Sequence, residues 1–186
     1  MQSIFWDKVY SEGRDFSVID EGFLAKLIRD GNISGDVLDV GCGTGDLVVK
    51  LAKMNLSVTG IDISDVGIDK AKNRTKTENV EVRLILGDIN VVDEKFDAIF
   101  CKLVYAFVPN KIDFLEKIKD KLKRDGVFVL ITPIINESNR GLEKKPVICA
   151  TEDDIQKIHE TFRVTKEYHT DFPEEGRIIK TFVCRK

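Results

Sequence analysis

With 186 residues the chain is long enough for one well-packed domain and too short for two ordinary ones. A net charge of −3 and an isoelectric point near 5.5 disfavour nucleic-acid partners, because proteins that bind polyanions carry a basic face or stripe. Cys42, Cys101, Cys149 and Cys184 are scattered with no C-x-x-C pair, and the two histidines are His159 and His169, so neither a zinc site nor a disulfide framework is indicated and a reducing, cytoplasmic setting is expected.

The N-terminus is amphipathic and charged rather than an apolar segment with a cleavage site, and no run approaches the length of a membrane span. Apolar spacing predicts helices over Ile4 to Tyr10 and Val18 to Arg29, the second closing at Asp30-Gly31 with the glycine as C-cap. A first strand follows over Val37 to Val40, then a helix from Asp46 to Met54, a second strand from Ser57 to Asp62, and a helix from Asp65 to Lys76 capped by Ser64. Val80 to Leu86 and Phe96 to Cys101 read as the third and fourth strands, Ile112 to Lys123 as a helix, and Asp125-Gly126 as the turn into a fifth strand, Val127 to Thr132. Thr151-Glu-Asp-Asp154 caps a helix reaching Thr161. Two last strands, Arg163 to His169 and Arg177 to Cys184, are joined by a short loop holding Pro173 and Gly176 and must pair antiparallel. Helices between the earlier strands act as crossovers and require a mostly parallel sheet.

Val37-Leu-Asp-Val-Gly-Cys-Gly-Thr-Gly-Asp-Leu47 carries the most chemistry. An apolar strand runs into three alternating glycines and then into an amphipathic helix, which lines a pocket with backbone and suits a nucleoside-like ligand. The dinucleotide spacing G-x-G-x-x-G fits neither register: read from Gly41 the third position is Asp46, and from Gly43 it is Val48. Asp46 in the first helical turn also repels phosphate. A ligand with sulfonium and ammonium groups and no phosphate is compatible with a pocket rimmed by Asp39 and Asp46. The bland alternative for the glycines is a structural turn, for Asp62 a helix cap, and for Gly87-Asp88 a plain turn.

On these residues the chain resembles the class I S-adenosylmethionine-dependent methyltransferases, whose first motif is an acidic residue followed by G-x-G-x-G. The resemblance implies an α/β fold: a three-layer Rossmann-like sandwich with a seven-stranded, mostly parallel sheet and one antiparallel strand near the C-terminus. It implies one methyltransferase domain over 1–186, with 1–31 as N-terminal helices forming a candidate lid and 36–186 as the cofactor-binding core. Cofactor contacts are implied for Asp39, Gly41, Cys42, Gly43 and Gly45 in the loop, for Asp62 and Ile63 at the ribose, for Asp88 and Ile89 at the adenine, and for Cys101 and Lys102 after the fourth strand. The cofactor is S-adenosylmethionine, the product S-adenosylhomocysteine, and no metal is expected.

The sulfonium already activates the methyl group, so catalysis is expected to rest on holding an acceptor in line, and no general base stands out. His159 and His169 read as surface or structural residues. Three regions could hold the acceptor: the first helix with Phe5, Trp6 and Tyr10; Lys102 to Pro109, with Tyr105 and Phe107; and the long stretch Pro133 to Ala150. Many relatives place a histidine pair where Ala106 and Phe107 stand. The Asn/Asp-Pro-Pro-aromatic signature of amine-directed nucleic-acid methylation is absent, since Lys102-Leu-Val-Tyr105 occupies its place, and no Pro-Cys pair follows the fourth strand. The expected partner is a small-molecule acceptor, with no membrane or nucleic acid and the oligomeric state left open. Methylation of protein or RNA with a partner, a non-catalytic S-adenosylmethionine sensor, and an NAD-linked oxidoreductase stand as the alternatives.

Overall fold

The computed structural model describes residues 2–16, 19–135, 148–172 and 177–186. In chain order these form α1 (Gln2–Ser11), α2 (Glu21–Gly31), β1 (Asp36–Val40), α3 (Asp46–Lys53), β2 (Ser57–Asp62), α4 (Asp65–Thr77), β3 (Arg83–Leu86), β4 (Phe96–Lys102), α5 (Lys111–Lys121), β5 (Leu122–Ile135), α6 (Glu152–Thr161), β6 (Arg163–Phe172) and β7 (Arg177–Arg185). Short 3-10 turns, Ile89–Val91 and Tyr105–Phe107, follow β3 and β4.

The strands make one seven-stranded sheet in the order β3-β2-β1-β4-β5-β7-β6. β1 is parallel to β2 and β4, β2 to β3, and β4 to β5, while β7 runs antiparallel to both β5 and β6. The helical crossovers impose the parallel pairs, and the short β6–β7 connection imposes the reversed one. The chain leaves β1 toward β2 and β3, then returns to the other side of β1 as β4. The C-terminal ends of β1 and β4 therefore flank a switch point, where open α/β sheets form their ligand crevice.

Alternating strand residues feed two cores. Leu38, Ile99, Phe128 and Phe182 face α5 and α6, meeting Leu115, Ile118, Ile155 and Ile158. Val37, Phe100, Val129 and Val183 face α2, α3 and α4, meeting Leu24, Leu27, Leu47, Leu51 and Ile68. Burying an aliphatic side chain of this size contributes roughly 1.5–3 kcal/mol, so these helices are bound to the sheet by apolar area.

Several boundaries differ from expectation. α2 starts at Glu21 because the carboxylate of Asp20 accepts from the N–H of Phe23 at 2.8 Å and caps it; the expected start at Val18 lies outside the described residues. Gly31 remains helical, and Asn32 takes the left-handed cap conformation at φ 48°, which asparagine tolerates. β3 begins at Arg83 rather than Val80. Asp125-Gly126 does not precede the fifth strand but lies inside it: β5 starts at Leu122, and its register on β4 jumps from Phe96↔Leu122 to Ala98↔Val127 as a bulge. Pro173 and Gly176, and residues 136–147 of the stretch from Pro133 to Ala150, lie outside the described residues. The two N-terminal helices have different surroundings. Leu24 and Leu27 of α2 are fully buried against the sheet, so α2 packs as part of a layer of the sandwich, whereas α1 lies over the crevice.

Candidate active site

β1 ends at Val40, and the backbone N–H groups of Gly41 and Cys42 both donate to the carbonyl of Ile61, at 2.8 and 2.9 Å. This pins the glycine loop to the end of β2. Gly41 has φ 74°, and a Cβ there would lie 2.2 Å from Val104 Cγ2, so only glycine lets the loop pass beneath the segment after β4. Asp62 closes β2. Its Oδ2 accepts from the N–H of Gly43 at 2.8 Å and its Oδ1 from the N–H of Ser64 at 2.9 Å. Ser64 caps α4 by accepting from the N–H of Gly67, as the sequence implied. Asp62 is nonetheless not free of backbone duty: each carboxylate oxygen already holds one donor and has one further acceptor position to offer. Burial raises the Asp62 carboxyl, and the two N–H donors oppose that shift.

These elements wall a cavity of about 710 Å³, within the range of small-molecule sites. Gly41, Cys42, Gly43, Asp62, Ile63, Asp88, Ile89, Lys102, Trp6, Tyr10 and Phe107 all line it. Four expected residues do not. Gly45 turns the chain into α3 at φ 87° behind the wall, and Cys101 is fully buried in the core facing α5. Tyr105 is fully buried as well, its hydroxyl donating to the carbonyl of Asp154 at 2.9 Å, because the 3-10 turn directs it inward while Phe107 reaches the cavity. Asp39 is not on the rim. It lies beneath the wall at 1% exposure, and among the described residues neither carboxylate oxygen has a hydrogen-bond partner. Burial pushes its carboxyl up to about 7, with Lys102 opposing and Asp62 and Asp46 reinforcing the shift.

Lys102 brings the compensating cation. Its Nζ donates to the carbonyl of Phe16 at 2.6 Å, which fastens the segment after α1 to the end of β4. Burial lowers the Lys102 ammonium, and the carboxylates of Asp39, Asp46 and Asp15 hold it up. Asp46 does line the cavity, but its charge is matched by Lys50 at 3.0 Å and Arg74 at 3.8 Å. Asp88 stands at the exposed lip, where its Oδ1 accepts from both the backbone and the side-chain amide of Asn90 at 2.9 Å.

α1 roofs the cavity. Trp6 stacks on Tyr10 with ring centroids 5.8 Å apart and meets Phe107 edge to face at 4.9 Å. The helix is held down by Asp7, which accepts from the Ser64 hydroxyl at 2.6 Å and from the N–H of Val66 at 3.3 Å, and by Lys70, which donates to the carbonyl of Tyr10. Arg74 pairs with Asp15 at 2.5 Å just beyond it. Asp7, Asp15 and Phe16 carried no signal in the sequence, since each acts across a long chain separation. Further wall residues, among them Val104, Val108, Pro109, Phe114, Pro133 and Ile148, were covered only in part by the expected acceptor regions. Leu103 is a partial exception: it adopts φ 62°, an unfavourable left-handed conformation for a bulky residue, of the kind that clusters at ligand sites. An apolar residue gives no hint of that in sequence.

His159 and His169 do not line this cavity; His159 lies 3.3 Å from Glu167 on β6, and His169 pairs with Lys180 in the sheet. Among the described residues no helix is long and apolar enough to cross a membrane, and no cluster of three metal-ligating side chains occurs.

A family model described as a methyltransferase domain matches residues 34–175. The carboxy-S-adenosyl-L-methionine synthase of Campylobacter concisus is 30% identical over 129 residues, which cover 67% of this chain and 54% of that protein. The demethylmenaquinone methyltransferase of Tropheryma whipplei is 40% identical over 96 residues, 51% of this chain and 40% of that protein. The chain thus spans about half the length, or less, of these curated relatives. In fold it is similar to the magnesium protoporphyrin IX methyltransferase of Synechocystis PCC 6803 crystallised with S-adenosylhomocysteine, at a TM-score of 0.77 over 100% of both chains and 20% identity.

Proposed function

The chain belongs to the class I S-adenosylmethionine-dependent methyltransferase family, and on that premise we propose that it transfers a methyl group from S-adenosylmethionine to a small-molecule acceptor by in-line displacement. The observation that carries the reading is a cavity bounded by the Gly41–Gly43 loop, the buried Asp62 and an aromatic roof. Its residues fit the cofactor in charge as well as shape. Among the described residues neither oxygen of the buried Asp39 has a donor, and its charge beneath the wall favours the cationic end of the cofactor. Lys102, whose Nζ donates to the carbonyl of Phe16, lines the cavity and is a cation available to the cofactor's carboxylate. Asp62 has acceptor capacity left for the ribose, and Asp88 has its Oδ2 left for the adenine amine.

When bound, the cofactor supplies a methyl group already activated by a sulfonium. The work of the chain is then to align the acceptor and exclude water, and alignment alone can supply up to roughly 7–11 kcal/mol of the barrier. Trp6, Tyr10 and Phe107 perform both tasks by roofing the cavity. A small acceptor is favoured by the enclosure under α1, by the net charge of −3, and by relatives such as the one named for demethylmenaquinone. No histidine lies in the wall, so an acceptor that loses its proton readily, or needs no deprotonation, is favoured.

The test is a screen of fractionated metabolite extracts with purified protein and S-adenosylmethionine, reading out S-adenosylhomocysteine. Acceptor-dependent accumulation is expected. Tight binding of S-adenosylmethionine with no turnover in any fraction would instead favour a sensor.

A further inference from the structure

Beyond the glycine loop the cavity is lined by apolar side chains of α1, of the segment after β4 and of α5, and two large apolar side chains of its wall stand partly in water. Phe5 of α1 is 53% exposed and Ile148 is 52% exposed, yet both line the cavity. Single exposed hydrophobic residues are ordinary on a protein surface. Two on one cavity, contributed by segments far apart in the chain, mark its mouth as a surface that gains from being covered. Behind them lie Trp6, Phe107, Pro109 and Phe114.

Polar groups of the wall beside Phe114 are already matched. Asn110 Oδ1 accepts from the N–H of Asp113 at 3.2 Å as the cap of α5, and Asp113 pairs with Lys117 at 2.8 Å. A charged acceptor would find Asp113 and Lys117 already paired with each other, whereas an apolar one would release water from the wall.

We propose that the acceptor is a lipophilic small molecule whose body lies against Phe107 and Phe114 and whose apolar tail leaves past Phe5 and Ile148. This deepens the methyltransferase reading above and rests on it: the cofactor takes the Gly41–Asp62 end, and the acceptor takes the other. Affinity should then depend on chain length, about fourfold for each additional methylene that becomes buried.

The test uses the full chain saturated with S-adenosylhomocysteine and titrated calorimetrically with 4-ethylphenol, 4-propylphenol, 4-butylphenol and 4-hexylphenol. Affinity should climb along the series by roughly fourfold per methylene until the tail clears the mouth. Phe5→Ser and Ile148→Ser should flatten the gain of the longer members, and because both side chains are more than half exposed, unchanged melting temperatures should show that the variants remain folded. Equal affinities across the series, in protein that still binds S-adenosylhomocysteine, overturn the lipophilic acceptor alone. A slope retained in full by both variants overturns the exit past Phe5 and Ile148. Failure of the wild type to bind S-adenosylhomocysteine overturns the cofactor assignment, and this inference with it.

Discussion

The N–H of Gly43 donates to Asp62 Oδ2 at 2.8 Å, so the glycine loop after β1 and the end of β2 are one hydrogen-bonded unit. Asp62→Ala therefore removes two things. Lost ribose contacts, two charge-assisted bonds at roughly 1.5–3 kcal/mol each, should weaken S-adenosylhomocysteine binding about a hundredfold or more. The orphaned N–H groups of Gly43 and Ser64 should also lower the melting temperature, which Asp62→Asn restores in part by keeping one acceptor. Calorimetry and thermal melts separate the two effects, and a folded Asp62→Ala protein with wild-type affinity would falsify the ribose assignment.

Asp39 should make stability depend on pH. Burial raises its folded-state value to about 7, above that of the unfolded chain. Its contribution to stability is therefore present at low pH and is lost as pH rises through about 7. Asp39→Asn should raise the melting temperature of the ligand-free protein above about pH 7, the gain shrinking toward pH 5. The same variant should bind the cofactor more weakly. A melting difference that stays constant across this window would mean that Asp39 does not carry the effect.

Asp88→Ala should change selectivity more than affinity. Its Oδ1 is occupied by Asn90, which leaves Oδ2 to accept from the adenine amine. Loss of that charge-assisted bond should reduce discrimination between adenosyl and inosyl analogues by about tenfold or more. Equal binding of the two analogues by the wild type would remove Asp88 from base recognition.

Deleting residues 1–12 should leave the sheet folded, weaken cofactor binding moderately and abolish most methyl transfer, because α1 supplies the roof but no layer of the sandwich. Trp6, the single tryptophan, reports the same event: its fluorescence should change when S-adenosylhomocysteine is added, and amide exchange across 3–11 should slow. Unchanged fluorescence and exchange at saturating ligand would reduce α1 to a packing element.

Leu27→Ala in α2 should behave in the opposite way to the α1 deletion. Leu27 is fully buried against the sheet, and its truncation should cost about 2–5 kcal/mol of unfolding free energy. Denaturant titration measures this. A loss below about 0.5 kcal/mol, the range of surface substitutions, would return α2 to the lid.

The order of helices and strands, the parallel core and the reversed strand near the C-terminus were legible because each depends on local pattern. Apolar residues repeat at two or near 3.6, caps such as Ser64 and Thr151 stand where a helix begins, and a short connection allows only an antiparallel pair. The glycine loop was legible for a related reason, since it needs backbone conformations that few other residues adopt. Asp62 was expected on the cavity from its place at the end of β2 and Asp88 from the family resemblance, and both line it. Boundaries failed where two local signals competed, as at Asp125-Gly126, whose turn is real but lies inside β5 as a bulge.

Tertiary structure alone decided which side chains from those segments share the cavity. Tyr105 and Phe107 are two residues apart on one 3-10 turn, yet one is locked to Asp154 in the core and the other meets Trp6. Asp39 and Lys102 act together only because β1 and β4 are adjacent in the sheet. The docking of α1 depends on Asp7 reaching Ser64, 57 residues away. Periodicity and capping describe the conformation of a segment from its neighbours in the chain. The direction a side chain finally takes depends on which strand lies beside it and which helix covers it, and those choices are made by burial across the whole sheet.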